Sequence, residues 1–242
     1  MKKTQVLFVS KKDIVELSEL GIISPNSKIL REYKKSLTGL NEFQWKASIG
    51  LMLGDASLQT QDKGKTHRMK FEWGNKNLPY LNSVHKLFNE WVISKPHEKT
   101  RISPKGNNVT NWGFQTISHE AFNPLATLFL KSKKVILKDL IKNHLTAVGL
   151  AYWFMDDGGK LDYNPNSKNK GLVLNTQSFT NEEVKEMSEQ LNEKFNLNTE
   201  LRANKGKKVI VIKNYDGFIS LVDPYLVPEM RYKLPASQPS QG

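Results

Sequence analysis

Two apolar segments, each closing on an acid, constrain this chain more than any other feature. Ile49 to Ala56 reads Ile-Gly-Leu-Met-Leu-Gly-Asp-Ala, and Leu150 to Gly159 reads Leu-Ala-Tyr-Trp-Phe-Met-Asp-Asp-Gly-Gly. A helix without a polar face is a buried helix. Gly158 and Gly159 are expected to end the second one, because glycine accepts the left-handed conformation common at helix ends. Asp156 and Asp157 then sit at the negative end of the helix dipole, where an acid is disfavoured by roughly 0.3–1 kcal/mol. A cation is expected there to offset them. Asp55 holds the equivalent place in the first segment, 102 residues before Asp157. The chain reads as a duplication in which each half presents one carboxylate from the foot of an apolar helix.

Composition narrows the partner. The net charge is +12 and the pI about 9.6, and charge of that size favours a polyanion such as a nucleic-acid backbone. It is unevenly spread: Asn181 to Phe195 carries five glutamates against two lysines, so this helix is expected to face away from the partner. With no cysteine, disulfides, thiolate metal sites and cysteine nucleophiles are all excluded. The five histidines have no metal-ligand spacing, so a hard cation on carboxylates fits better than zinc. No apolar run approaches the ~18 residues of a membrane span, and a soluble protein is expected.

Periodicity orders the rest. Ser27 is expected to cap a helix through Leu37, with Ile29, Leu30, Tyr33 and Leu37 inside and Lys28, Arg31, Lys34 and Lys35 outside. That basic face suits either phosphate contact or plain solvation. Asn41 with Gln44 forms a capping pair before the first apolar helix. Alternation from Ser57 to Asp62 and from Arg68 to Trp73 predicts strands. A helix over 77–92, strands near 98–103 and 109–116, and a helix over 119–130 complete the half. The second half repeats this order: a helix from Thr146, strands over 160–163 and 172–178, and an acidic helix opened by Thr180 and Glu183. Strands near 199–204 and 207–213 and a helix over 215–226 close it. The fold class is therefore α+β: two pseudo-symmetric αββαββα halves whose curved antiparallel sheets form a DNA-binding saddle. The boundaries are an extension with a basic helix over 1–40, a first half over 41–131, a linker over 132–145, a second half over 146–235 and a tail over 236–242. β-Ribbons enter the major groove of duplex DNA, where Arg, Lys, Asn and Gln pair with base edges. Gln59, Gln61, Arg68, Lys70 and Glu72 are the readers nominated in the first half; Lys160, Asn164, Asn175, Gln177, Arg202, Asn204 and Lys208 are those in the second. Trp73 and Trp112 fit the core better than a base-stacking role.

The paired segments resemble the repeated signature of single-chain LAGLIDADG homing endonucleases. Gly50-Leu51 and Gly54-Asp55 match the first copy; Leu150-Ala151 and Asp157-Gly158-Gly159 match the second, and the likeness runs from about Pro25 to Pro235. It implies a monomeric enzyme that makes a staggered double-strand break in a long specific DNA site, and a mitochondrial setting. Asp55 and Asp157 would hold two or more divalent ions, Mg²⁺ with Mn²⁺ able to substitute. Backbone carbonyls of Gly54 and Asp156 would lie alongside, Asp156 occupying a small-residue position of the signature. The family also places a lysine near each centre. Lys134, 79 residues after Asp55, and Lys233, 76 after Asp157, match, although a slip of one position would promote Lys133. Tyr152 and Asp156 stand where the first copy has Gly50 and Gly54, a departure that puts perfect symmetry in doubt. Two alternatives stay open: an intron RNA maturase, and a catalytically silent DNA-binding protein, both of the same fold.

Overall fold

The computed structural model describes residues 10–19, 24, 27–103, 106–130, 137–161 and 171–235. The expectations for Lys133, Lys134, Asn164 and the tail beyond Pro235 lie outside the described residues.

Helices α1 (Lys11–Glu19) and α2 (Lys28–Ser36) open the chain. Ser27 caps α2 as expected, its hydroxyl accepting from the Leu30 amide. The Tyr33 hydroxyl donates to the Glu90 carbonyl at 2.6 Å, and burial beside the Glu90 carboxylate pushes this phenol up to about 12. α3 (Glu42–Leu53) starts at the Asn41–Gln44 capping box. There follow β1 (Ser57–Gln59), β2 (Arg68–Gly74), α4 (Leu78–Leu87), β3 (His97–Ile102), β4 (Asn108–Gln115) and α5 (Asn123–Phe129). The remaining elements are α6 (Leu140–His144), α7 (Ala147–Asp157), β5 (Gly158–Lys160), β6 (Leu172–Leu174), α8 (Asn181–Phe195), β7 (Thr199–Asn204), β8 (Lys207–Ile212) and α9 (Tyr215–Val222).

The two sheets repeat one topology, β1-β2-β4-β3 and β5-β6-β8-β7. This is the mixed helix-and-sheet architecture that the duplicated pattern predicts. Three helices are shorter than their apolar spacing suggests. α4 stops at Leu87 because Phe88 leaves helical dihedrals and a 3-10 turn, Asn89–Trp91, follows. α9 stops at Val222 as Pro224 enters a 3-10 turn, proline having no amide to continue the ladder. α5 is preceded by a 3-10 turn over Glu120–Phe122.

Contacts divide the chain into two compact units, residues 1–40 with 58–123, and residues 41–57 with 124–242. In the first, one face of the sheet is aromatic. Phe71 stacks on Phe114 with ring centroids 4.7 Å apart, and Trp73 meets Tyr80 edge-on at 5.1 Å. Trp73 is a core residue, and the register places Trp112 opposite it on the same face. In the second unit, Leu172, Leu174, Ile210 and Ile212 share one face by register, and α8 packs on this sheet through Val184, Met187 and Leu191. The glutamates of α8 also hold α6: Glu186 accepts from the Asp139 amide at 2.9 Å, and Glu193 pairs with Lys142 at 2.6 Å. Both apolar helices, α3 and α7, belong to this second unit. Their acid-bearing ends are thereby built into one body.

Candidate active site

α3 and α7 cross at backbone contact. A Cβ on Gly50 would lie 1.9 Å from the Gly149 carbonyl oxygen and 2.9 Å from the Trp153 amide nitrogen. One on Gly149 would lie 2.9 Å from the Lys46 carbonyl oxygen. Small residues at a crossing let two helices approach until their backbones touch. The partner of Gly50 is therefore Gly149, which sequence reasoning missed. Tyr152 points elsewhere, edge-on to Phe43 at 6.3 Å. Burial, together with the negative Asp156, pushes its phenol up to about 12.

The helix-ending glycines act by size and not by handedness. Gly158 is extended (φ −85°, ψ 164°) and runs directly into β5, so the left-handed terminus expected there is corrected. A Cβ at Gly158 would sit 2.0 Å from the Phe154 ring, and one at Gly54 would sit 2.3 Å from Asp156 Oδ2.

Asp156 reaches across the crossing. Its Oδ2 accepts from the backbone amide of Asp55 at 3.1 Å, which brings Asp55 beside the residue preceding Asp157. The Asp55 residue is exposed, whereas Asp156 and Asp157 are half-buried. The carbonyl of Asp157 accepts from both the backbone amide (2.9 Å) and the side-chain Nδ2 (2.8 Å) of Asn175. Gln177 Nε2 in turn donates to Asn175 Oδ1 at 3.4 Å. Asn175 thus braces the foot of α7, and Gln177 contacts α7 only through Asn175.

Lys233 packs against the foot of α7. Only 9% exposed, it projects Nζ onto the carbonyl oxygens of Met155 (2.5 Å) and Asp156 (2.8 Å) in the last turn of α7. A positive charge on these carbonyls is where a helix C-terminus gains from one. Among the described residues no group of three or more His, Asp or Glu side chains is placed to hold a metal ion. The donors at the helix ends are all oxygen: the Asp55 and Asp157 carboxylates and nearby carbonyls. That donor chemistry fits a hard, water-retaining cation, since Mg²⁺ keeps several waters and takes few protein ligands.

The sheet faces gather most of the remaining candidates. Register places Lys70 and Glu72 of β2 on one face with Asn111 of β4 and with Lys99 and Arg101 of β3. Glu72 draws this group together, bonding Asn111 Nδ2 at 3.0 Å and lying 3.6 Å from Lys70 Nζ and 3.7 Å from Lys99 Nζ. These contacts, with the Arg101 charge, hold its carboxyl below the usual range, the Asn111 hydrogen bond contributing most. Lys99, Arg101 and Asn111 were missed, although the alternation His97, Lys99, Arg101 carries the signal. Arg68 bonds Gln59 at 3.3 Å, and Gln61 lies beyond β1 in a bend. In the second sheet a hollow of about 320 Å³ is lined by Lys160, Asn175, Arg202 and Asn204 over Val173 and Val209. Lys208 pairs with Ala203 and so alternates away from Arg202. On α2, Lys28 and Arg31 are exposed, whereas Lys34 is half-buried and its ammonium is lowered by desolvation.

The pattern of the LAGLIDADG DNA endonuclease family matches residues 45–217, spanning both acids. The chain belongs to this family. It is 45% identical over 227 residues to an intron-encoded endonuclease of Wickerhamomyces canadensis, covering 93% of this chain and 97% of that one. A solved structure, the homing endonuclease I-WcaI bound to its DNA recognition sequence, superposes with a TM-score of 0.85 at 44% identity, covering 94% and 98% of the two chains. A cytochrome b mRNA maturase of Debaryomyces hansenii is also similar, 32% identical over 193 residues, covering 76% of this chain and 71% of that one. Among the described residues no helix is long and apolar enough to cross a membrane.

Proposed function

We propose that this protein is a site-specific homing endonuclease. It acts as a monomer on a long duplex DNA target and makes a staggered break in both strands, in a mitochondrial setting. The observation that carries this reading is the meeting of two acid-bearing helix ends in one compact unit, Asp55 held by Asp156 and followed across the crossing by Asp157. The halves over 41–131 and 146–235 would each serve one strand, with the polar sheet faces reading the bases.

The Asp55 and Asp157 carboxylates, with the Gly54 carbonyl, would hold Mg²⁺, with Mn²⁺ able to substitute. Bound there, such ions would supply Lewis-acid polarisation of phosphoryl oxygens and a lowered pKa for bound water. The chain's own part is placement. Gly50 and Gly149 set the spacing of the helices, Asn175 fixes the foot of α7, and Lys233 neutralises its carbonyl end. Lys233, and Lys134 of the linker, would stabilise charge near the two scissile phosphates. Phosphate contacts from Lys28, Arg31 and the sheet lysines would fix register, while Arg202, Asn204 and the Glu72 group would read base edges.

The test is a library of long duplexes with Mg²⁺, using the wild-type chain and Asp157→Asn. Wild type should bind and cut one site; the variant should bind with similar affinity and fail to cut. Near-normal cutting by Asp157→Asn would remove that residue from its role. Binding without cutting by wild type would favour the silent DNA-binding reading. The maturase reading is supported by the Debaryomyces relative, and binding of a folded intron RNA in preference to every duplex would favour it.

A further inference from the structure

The last turn of α3 leaves one backbone donor out of its ladder. The Gly54 amide bonds the Gly50 carbonyl at 2.9 Å, and the Ala56 amide bonds the Leu51 carbonyl, also at 2.9 Å. The latter is the acceptor an unbroken helix would give to the amide of Asp55. Its 3.1 Å acceptor comes instead from 101 residues away, on the other helix: the carboxylate Oδ2 of Asp156. Gly54 makes the reach possible, since a Cβ there would stand 2.3 Å from Asp156 Oδ2 and 2.5 Å from Asp156 Cβ. The pair is therefore mutual. A side chain at 54 would evict Asp156, and a short side chain at 156 would leave the Asp55 amide without this acceptor.

We infer that Asp156 is a positioning residue for the opposite half: its carboxylate clamps the Asp55 backbone across the helix crossing and so fixes where the Asp55 carboxylate stands. The two acids are anchored differently. Asp55 is tied to α7 through its amide, whereas Asp157 is tied within its own half through the Asn175 bonds to its carbonyl. Loss of the Asp156 carboxylate should thus impair one strand cut far more than the other. An N–H···carboxylate bond is charge-assisted and short-ranged, and a reacting group displaced by about 1 Å loses on the order of 100-fold in rate.

This rests on the cleavage reading above, so the experiment has one arm that does not. Amide hydrogen exchange by NMR, without DNA or metal, reads the bond itself. The Asp55 amide should be protected in wild type and in Asp156→Asn, whose amide oxygen still accepts, and should exchange at least about tenfold faster in Asp156→Ala. Strand-resolved cleavage is the second arm. Asp156→Ala should slow one strand by about 10–100-fold and the other by less than about threefold, and Asp156→Asn should recover most of that loss. Should Asp156→Ala fail to fold, Asp156→Ser, too short to reach the amide, repeats both arms. An unprotected Asp55 amide in wild type, equal slowing of both strands, or Asp156→Asn as slow as Asp156→Ala would overturn the inference. A wild type that cuts no duplex but shows a protected, Asp156-dependent Asp55 amide would leave the clamp standing and bring down the cleavage reading.

Discussion

Gly50→Ala tests the crossing on which the site is built. The new Cβ would lie 1.9 Å from the Gly149 carbonyl oxygen, where ordinary contact begins near 3.4 Å, so the helices would have to part by roughly 1.5 Å at that point. Overpacking of a core typically costs about 1–3 kcal/mol. Here the obstacles are backbone atoms of α7, which have no rotamer to escape into, and the upper end applies. Alanine recovers about 0.8–1 kcal/mol of helix propensity over glycine, leaving a net loss of about 2 kcal/mol. At about 2–4 °C per kcal/mol for a chain of this size, Tm should fall by roughly 4–8 °C. Gly74→Ala is the control: nothing lies within 4 Å of its Cβ and its φ is −63°, so stability should hold or rise slightly. Thermal unfolding by circular dichroism, with denaturant unfolding for ΔG, decides the matter. A Gly50→Ala protein within about 0.5 kcal/mol of wild type, or one that loses no more than Gly74→Ala, would refute close backbone approach as the reason for glycine here.

Three further expectations follow from the site. Lys233→Met removes two charged hydrogen bonds to α7 carbonyls and should lower stability by about 1.5–3 kcal/mol as well as cleavage; an unchanged denaturation midpoint would leave Lys233 with a purely chemical role. Asn175→Ala should slow cleavage without relaxing base preference, because Nδ2 is engaged by the Asp157 carbonyl; altered preference in a target-profiling assay with normal rate would restore it as a base reader. Glu72→Gln should tighten binding to non-target duplex and steepen its salt dependence, because one acid restrains Lys70 and Lys99. With its pKa depressed, Glu72 contributes stability above the ordinary carboxylate range that is lost as pH falls through its lowered value; Glu72→Gln should flatten that part of a pH–stability profile, and an unchanged profile would show that the ion cluster adds nothing.

The local devices were legible because their partners lie three residues apart. Asn41 with Gln44 and Thr180 with Glu183 close capping boxes as written in the chain. Strand β2 alternates in burial as its period-two pattern predicts, and the repeat of an apolar helix ending in an acid announced both the duplication and the family. Tertiary structure decided where the polar groups around those acids point. Gly149 as the partner of Gly50, Asp156 on the Asp55 amide, Lys233 on the carbonyls of α7 and Asn175 on the Asp157 carbonyl have no signature in local periodicity. Periodicity reports which face of an element is buried. It does not say which donor, 78 or 101 residues away, will meet a given acceptor. That pairing is set by how closely two helices approach, and here the approach depends on glycines whose missing side chains let one backbone rest on another.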